Sequence, residues 1–268
     1  MFEALKEAGY EIEFVSHAEA ILEKDFPDAV SELEATLREV DIPITEIIGS
    51  GGGEAKGTQR LRRSLAARHW IKVNFEIKKT INGIERESIS HEVDHVRTFE
   101  RNQMVALEIE WNNKDPFFDR DLENFKRLHV EGAISVGVIV TRGSTLQEGM
   151  RALVRRFIEE RNIRSFEDLI ALGLNPPTNR QRAAVIRRIQ RRKDPLDFQE
   201  AWTNNFVSDK FGAATTHWRK LMDRIHRGVG NPCPLLLVGL PASLVSFDPD
   251  AVIDIDPEQA ANEANEDD

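Results

Sequence analysis

Two acidic residues spaced two apart on a β-strand stand side by side on one face, and Val105-Ala-Leu-Glu108-Ile-Glu110-Trp111 has that spacing. Val105, Leu107, Ile109 and Trp111 then point one way, and Glu108 and Glu110 the other. Asp94 sits on the preceding strand, and a turn around Glu100-Arg101-Asn102 lets it come beside Glu108 across the hairpin. Three carboxylates at one sheet edge repel one another unless a cation neutralises them. Hard oxygen donors suit Mg²⁺, which keeps waters and accepts phosphate oxygens. Such an ion activates a water and stabilises the charge of an in-line phosphoryl displacement. The plain alternative is a solvated sheet face carrying Glu-x-Glu. The flanks favour chemistry: Asn112-Asn113-Lys114 and a helix start follow at once, and the chain carries two basic stretches.

The surrounding pattern supplies the elements that would hold these groups. A helical pattern opens at Ser16-His17-Ala18 and restarts at Pro27-Asp28 with Val30, Leu33 and Leu37 inward. Gly49 to Gly53 reads as a flexible loop without the Lys-Ser/Thr ending of a phosphate loop. Thr58 to His69 reads as a basic helix with Leu61 and Leu65 inward. Trp70–Lys79, Ile89–Arg97 and Met104–Asn112 read as strands. Asp115-Pro116 reads as an N-cap and first helical residue, ahead of the stripe Phe118, Leu122, Phe125, Leu128. Ala133–Thr141 and Pro234–Leu240 are almost wholly apolar, as strands buried on both faces are. Thr215–Arg227 reads as a helix with Trp218, Leu221, Met222 and Ile225 inward and Gly228 as its stop. The order predicts an α/β (α+β) layered domain, a mixed central sheet flanked by helices. Between residues 150 and 210 the pattern becomes helical and arginine-rich, as an insertion would. The expected division is a core of 1–150 and 212–247, an insertion of 151–211, and an acidic, disordered tail of 248–268.

The chain has 268 residues, with 36 Lys and Arg against 46 Asp and Glu. The net charge of −10 argues against a polyanionic partner only until its distribution is read. Nine acids and no Lys or Arg lie between Asp248 and Asp268; without them the balance is 36 to 37. Lys56 to Lys72 holds six basic residues and no acid, and Thr178 to Lys193 holds seven and no acid. Surface potential follows such clustering, not the sum. In the second stretch Arg180, Arg187, Arg188 and Arg191 surround an apolar stripe of Val185, Ile186 and Ile189, which is compatible with contact to DNA phosphates or guanine edges. A solvated face paired with Glu159, Glu160, Glu167 and Asp168 is the alternative. The single cysteine, Cys233, excludes a disulfide framework and a cysteine-rich zinc site. No run is long and apolar enough for a membrane span and no signal peptide is seen, so a cytoplasmic protein is the default. His91 and His95 flank Asp94 and read as ordinary polar strand positions. Trp111 reads as core by alternation, and Lys114 is open to a phosphate contact or a loop role.

Five stretches then fall into a known order. They are Val15-Ser16-His17, Val93-Asp94-His95-Val96, Val105-Ala-Leu-Glu108-Ile-Glu110-Trp111, Ile134-Ser-Val-Gly137-Val-Ile139 and Pro234-Leu-Leu-Leu-Val-Gly239-Leu240. Together they resemble the BglII/BstYI-type type II restriction endonucleases of the PD-(D/E)XK nuclease superfamily. The resemblance covers roughly 10–150 and 212–242, and residues 151–211 have no counterpart in it. It implies a PD-(D/E)XK core in a Mg²⁺-dependent homodimer that cuts both strands of a short palindromic double-stranded DNA site, leaving 5′-phosphates. It implies that Asp94 and Glu108 hold the metal with the Ile109 carbonyl. Glu110 departs from the pattern, since relatives of this type can carry Gln there and the wider superfamily Lys. It resembles the BamHI arrangement, where a glutamate at that place could orient or deprotonate the attacking water or bind a second metal. Gln59 or Glu54 could supply a fourth polar group. Two other readings stand beside this one: a repair or structure-selective nuclease on the same core, and a catalytically silent DNA-binding module.

Overall fold

The computed structural model describes residues 1–49 and 55–253. In chain order, α1 (Glu3–Glu7), β1 (Glu11–Val15), α2 (Ala18–Asp25) and α3 (Pro27–Arg38) come first. Next are β2 (Ile42–Pro43), α4 (Ile44–Ile48), α5 (Lys56–Ala67), β3 (Ile71–Ile81), β4 (Ile84–Thr98), β5 (Met104–Glu110), α6 (Phe117–Val130) and β6 (Val136–Arg142). Then follow α7 (Ser144–Glu160), α8 (Phe166–Ala171), α9 (Asn179–Ile189), α10 (Phe198–Lys210), α11 (Trp218–His226), β7 (Leu235–Leu240) and β8 (Val245–Ser246). The glycine loop, Glu54 and the end of the acidic tail, residues 50–54 and 254–268, lie outside the described residues.

Two compact units are present. The first comprises Met1–Val40, Arg60–Ser144 and Thr216–Pro241. It is built on a six-stranded sheet of order β1-β7-β6-β5-β4-β3. β5–β6 and β6–β7 are parallel pairs, and β3–β4, β4–β5 and β1–β7 are antiparallel. This is the mixed, helix-flanked sheet that the alternation of apolar runs predicts. The hairpin joining β3 and β4 is longer than expected. Asn82 and Gly83 make its two-residue turn with φ of 51° and 77°, the left-handed values that favour Asn-Gly at this position. β1 was not expected as a strand: Glu11-Ile-Glu-Phe-Val pairs with Leu235–Gly239. Both oxygens of Glu11 bind Ser144 at the start of α7, Oε2 accepting from the backbone N–H at 2.5 Å and Oε1 from the hydroxyl at 2.8 Å.

The core lies where α6 crosses the sheet. Phe118, Leu122, Phe125 and Leu128 are all buried against Val93, Val96, Ala106, Ile139, Leu235 and Leu237. The inward stripe is therefore the one read from the sequence. Its start differs, because α6 begins at Phe117 with no side-chain cap. The Asp115 carboxylate is taken by Lys220 and Arg224 of α11, at 3.1 and 3.5 Å. Small residues let the helix approach. A Cβ on Gly137 would stand 2.5 Å from Cδ2 of Phe125. Gly137→Ala is expected to cost about 1–3 kcal/mol through this overpacking. In urea denaturation it should lower the midpoint at unchanged slope, and an unchanged midpoint would show that the ring moves freely.

The second unit comprises Asp41–Gln59, Thr145–Thr215 and the residues from Ala242. α7 buries Leu146, Met150, Val154, Phe157 and Ile158. α9 opens on a capping box of Thr178 and Gln181 and packs on α10, while Phe166 and Phe198 meet edge to face at 5.1 Å. β2 and β8 form a short parallel pair. Arg161 donates to the carbonyls of Asp248 and Ala251 at 3.2 and 2.8 Å, which ties the chain after β8 to α7. No described helix is long and apolar enough to cross a membrane.

Candidate active site

The acidic residues of β5 and the bend in β4 belong to one piece of geometry. Val93 pairs with Val73, but Val96 pairs with Ile71, so Asp94 and His95 together face the single residue Lys72. This is a β-bulge, which re-aims side chains and increases local twist. It lets Val93 and Val96, three apart, both point into the core beneath α6. It also turns Asp94 out: its carboxylate is half exposed and sits 3.1 Å from Lys72 Nζ, which also binds Glu92 at 2.8 Å. The β4–β5 ladder pairs His95 with Leu107, and the next position sets Asp94 opposite Glu108. The Asp94 backbone N–H acts on the Glu108 carboxyl in the direction that favours its charge.

Glu108 and Glu110 share a face, as their spacing requires, but that face is not wet. They are only 4% and 2% exposed. They project from the core side of β5 towards α6, which brings Asp121 in beside them, itself 0% exposed. Burial, then the nearby charges of Asp121, Asp94 and Glu110, push the Glu108 carboxyl up to about 9. Burial and Asp121 push Glu110 up to about 8. Asn113 Nδ2 donates to Glu110 Oε2 at 2.8 Å, and Arg120 Nη2 stands 3.6 Å from Oε1. Arg120 Nε also donates to Asp121 Oδ1 at 2.8 Å. Asn113 is itself fixed by two bonds to Thr216: its N–H donates to the hydroxyl at 3.1 Å, and its carbonyl accepts from the Thr216 N–H at 2.8 Å. The Thr216 carbonyl in turn accepts from the buried Arg142 at 2.7 Å.

The donor set fits a divalent cation. Asp121 Oδ2 meets no N–H donor, and its contact with Glu110 is a hydrogen bond only while one of the two carries a proton. Buried carboxyls driven this far up are a cluster short of positive charge, and Arg120 supplies one charge against three acids. The donor atoms of His91, Glu108 and Asp121 lie within 4.8 Å of one another, the one such group of three or more among the described residues.

Of the residues singled out from the sequence, Glu108 and Glu110 meet at this cluster and Asp94 flanks it across the ladder. His95 is buried with Nδ1 3.3 Å from the Leu107 carbonyl oxygen, and burial holds its ring down at about 4. Trp111 is half-buried, with Arg142 6.0 Å above its ring. Cys233 is buried and its thiol is pushed up to about 12, which leaves it unreactive at neutral pH. Gln59 lies in the first turn of α5 and belongs to the second unit. Arg180, Arg187, Arg188 and Arg191 also belong to the second unit. Arg180, Arg187 and Arg191 are exposed, whereas Arg188 donates to Asn205 Oδ1 at 2.9 Å. Asp121, Arg120 and Lys72 are residues at this cluster that sequence reasoning passed over, and His91, read from the sequence as an ordinary polar strand position, stands with Glu108 and Asp121. One signal was present: Asp121 is an acid three residues after Phe118, on the stripe that faces the core.

A search of curated proteins finds no match to the chain. The family model described as "Restriction endonuclease BglII/BglIII" matches residues 10–240, nearly the whole chain and all of the carboxylate cluster. By that match the protein is a site-specific deoxyribonuclease of the type II restriction class, and the chain belongs to the BglII/BglIII restriction endonuclease family.

Proposed function

We propose that the protein is a Mg²⁺-dependent homodimer that hydrolyses one phosphodiester bond in each strand of a short palindromic double-stranded DNA site, leaving 5′-phosphates. The cytoplasm is the compartment we assign to it. The observation that carries this reading is the convergence of buried Glu108 and Glu110 with Asp121 of α6 beside the bulged Asp94. Asp94, Glu108 and the Ile109 carbonyl would hold the ion. When bound, Mg²⁺ supplies charge that lowers the pKa of a water and offsets the charge growing on the phosphoryl oxygens. Glu110, held by Asn113 and Arg120, would orient the attacking water and take its proton. Water oxygen bonds to phosphorus as the bond to the 3′-oxygen breaks, so the phosphate stays on the 5′ side. Lys72 keeps Asp94 directed along the bulge.

We ascribe cutting to residues 1–150 with 212–247, and DNA contact to the insertion of 151–211. Within α9, Arg182 leans on Phe166 at 4.6 Å and Arg188 on Asn205. Arg180, Arg187 and Arg191 remain exposed to reach phosphate or guanine. Replacing each of these three, and Arg188, by Ala should lower the slope of log affinity against log salt by roughly 0.9 per phosphate contact. For a guanine-edge contact the loss is instead about 1–3 kcal/mol at one base position. Filter binding to cognate and random DNA over a salt series measures both, and four unchanged slopes with unchanged site preference would return α9 to a structural brace. The function itself is tested by incubating the protein with plasmid DNA and Mg²⁺. Discrete bands with self-complementary, 5′-phosphorylated ends are the expected result. A smear, random nicks or a gel shift without cutting would overturn it.

A further inference from the structure

The groups around Glu108 are not all oxygen donors. His91 lies two residues before Val93 and so shares its face of β4, the face that looks at α6. α6 answers with Asp121 and Asn124, three apart on one side of the helix. Asn124 Nδ2 stands 2.9 Å from His91 Nδ1. That contact fixes the ring and leaves His91 Nε2 as its second nitrogen, buried and without a hydrogen-bond partner. Asp121 is 0% exposed and its Oδ2 meets no N–H donor. A histidine present only to hydrogen-bond the cluster would have Nε2 on a carboxylate. Here a ring nitrogen and one oxygen from each of two carboxyls instead lie within 4.8 Å of one another.

We propose that His91 Nε2, Glu108 and Asp121 form a second cation subsite, on the α6 side of Glu108, that selects Mn²⁺ over Mg²⁺. It rests on the reading of Glu108 as a metal-bearing carboxylate, which the two sites would share. The selectivity follows from the donor set. Mg²⁺ holds oxygen ligands and gives up its waters reluctantly. Imidazole suits transition ions, and two carboxylates keep the set hard enough for Mn²⁺. The second shell is also present. A 180° turn of the Asn124 amide presents Oδ1 to the ring, accepts the Nδ1 proton and bares the Nε2 lone pair, as a hydrogen-bonded partner does for metal-bound histidines. Arg120, on Asp121 Oδ1, leaves Oδ2 for the ion.

The test uses the full chain without DNA. Mn²⁺ binding is followed by loss of the free-ion electron paramagnetic resonance signal, with Mg²⁺ as competitor. Electron spin-echo modulation then reports any nitrogen bonded to the bound ion. Wild type and Asp94→Asn are expected to show the imidazole nitrogen coupling, and His91→Ala to lose it. His91→Ala should also bind Mn²⁺ about tenfold or more weakly, with Mg²⁺ affinity little changed, and Asn124→Leu should weaken Mn²⁺ by about 10-fold or more. The wild-type spectrum decides by itself, so a misfolded variant does not blunt the test. Absence of nitrogen coupling in wild type, its persistence in His91→Ala, or its loss in Asp94→Asn would overturn the proposal. Plasmid cutting with Mg²⁺ is scored separately. A protein that cuts without nitrogen coupling sinks the subsite and keeps the nuclease. One with coupling that never cuts DNA keeps the subsite and sinks the proposed function.

Discussion

Glu108→Gln is expected to lower Mg²⁺-dependent cleavage on the order of 10³-fold, with DNA binding in Ca²⁺ retained within a few-fold. Asp94→Asn should do the same. Stabilising the charge of a phosphoryl displacement is worth several kcal/mol, and each ~1.4 kcal/mol is tenfold in rate. Binding survives because it draws mainly on phosphate and base contacts. Glu108 stands at the centre: Asp94 lies across the ladder, Glu110 two residues on, and Asp121 above it on α6. The Gln variant keeps the shape and discards a carboxyl that burial holds up at about 9. It should therefore fold at least as stably as the parent without metal, so lost activity is not lost structure. Near-normal cutting by either variant would remove Asp94 and Glu108 from the chemistry.

The sheet and its covering helix were legible because their signals are local. Val136–Arg142 and Leu235–Leu240 are buried along their whole length, and an uninterrupted apolar run announces that. Phe118, Leu122, Phe125 and Leu128 repeat at helical spacing. β1 was hidden because its reason is distant: Glu11–Val15 is an edge strand whose partner, Leu235–Gly239, lies at the other end of the chain. The pairing of Glu108 with Glu110 followed from strand alternation alone. Their burial did not, since alternation gives the face and not what covers it. The residue that covers them is Asp121, and a polar residue within an apolar helical stripe is the mark of such a lid. The bulge had its own trace in Val93 and Val96, three apart and both buried. Three-residue spacing within a two-residue period means an extra residue in the strand. Lys72 left none, because its contact with Asp94 depends on that bulge.

Metal-free protein is expected to lose stability as pH rises from 7 to 8.5, and a divalent cation should reverse the loss. Glu108 and Glu110 carry folded values of about 9 and about 8 against an ordinary 4.5. Below the ordinary value both states are protonated and this contribution is fully present. Above it the unfolded chain releases the protons that the fold retains, so unfolding gains as pH climbs through the folded values. Each carboxyl still protonated in the fold removes up to about 1.4 kcal/mol per pH unit. The buried histidines act in the opposite window. His95 and His217 are both held at about 4 against 6.5, so their contribution is present above 6.5 and is lost as pH falls. From pH 7 upward they are neutral in both states, and the slope belongs to the carboxyls. Cys233, pushed up to about 12 from 9.0, adds little below 8.5. A cation bound by the carboxylates favours their charged forms, so the rise in Tm it gives should grow with pH. Differential scanning calorimetry in EDTA and in Ca²⁺ measures both slopes, with Glu108→Gln expected to show the shallower one in EDTA. A Tm in EDTA that stays flat from pH 7 to 8.5, or a Glu108→Gln slope as steep as the parent's, would mean that these carboxyls are already ionised in the fold and that Arg120 with Asn113 suffices to hold them.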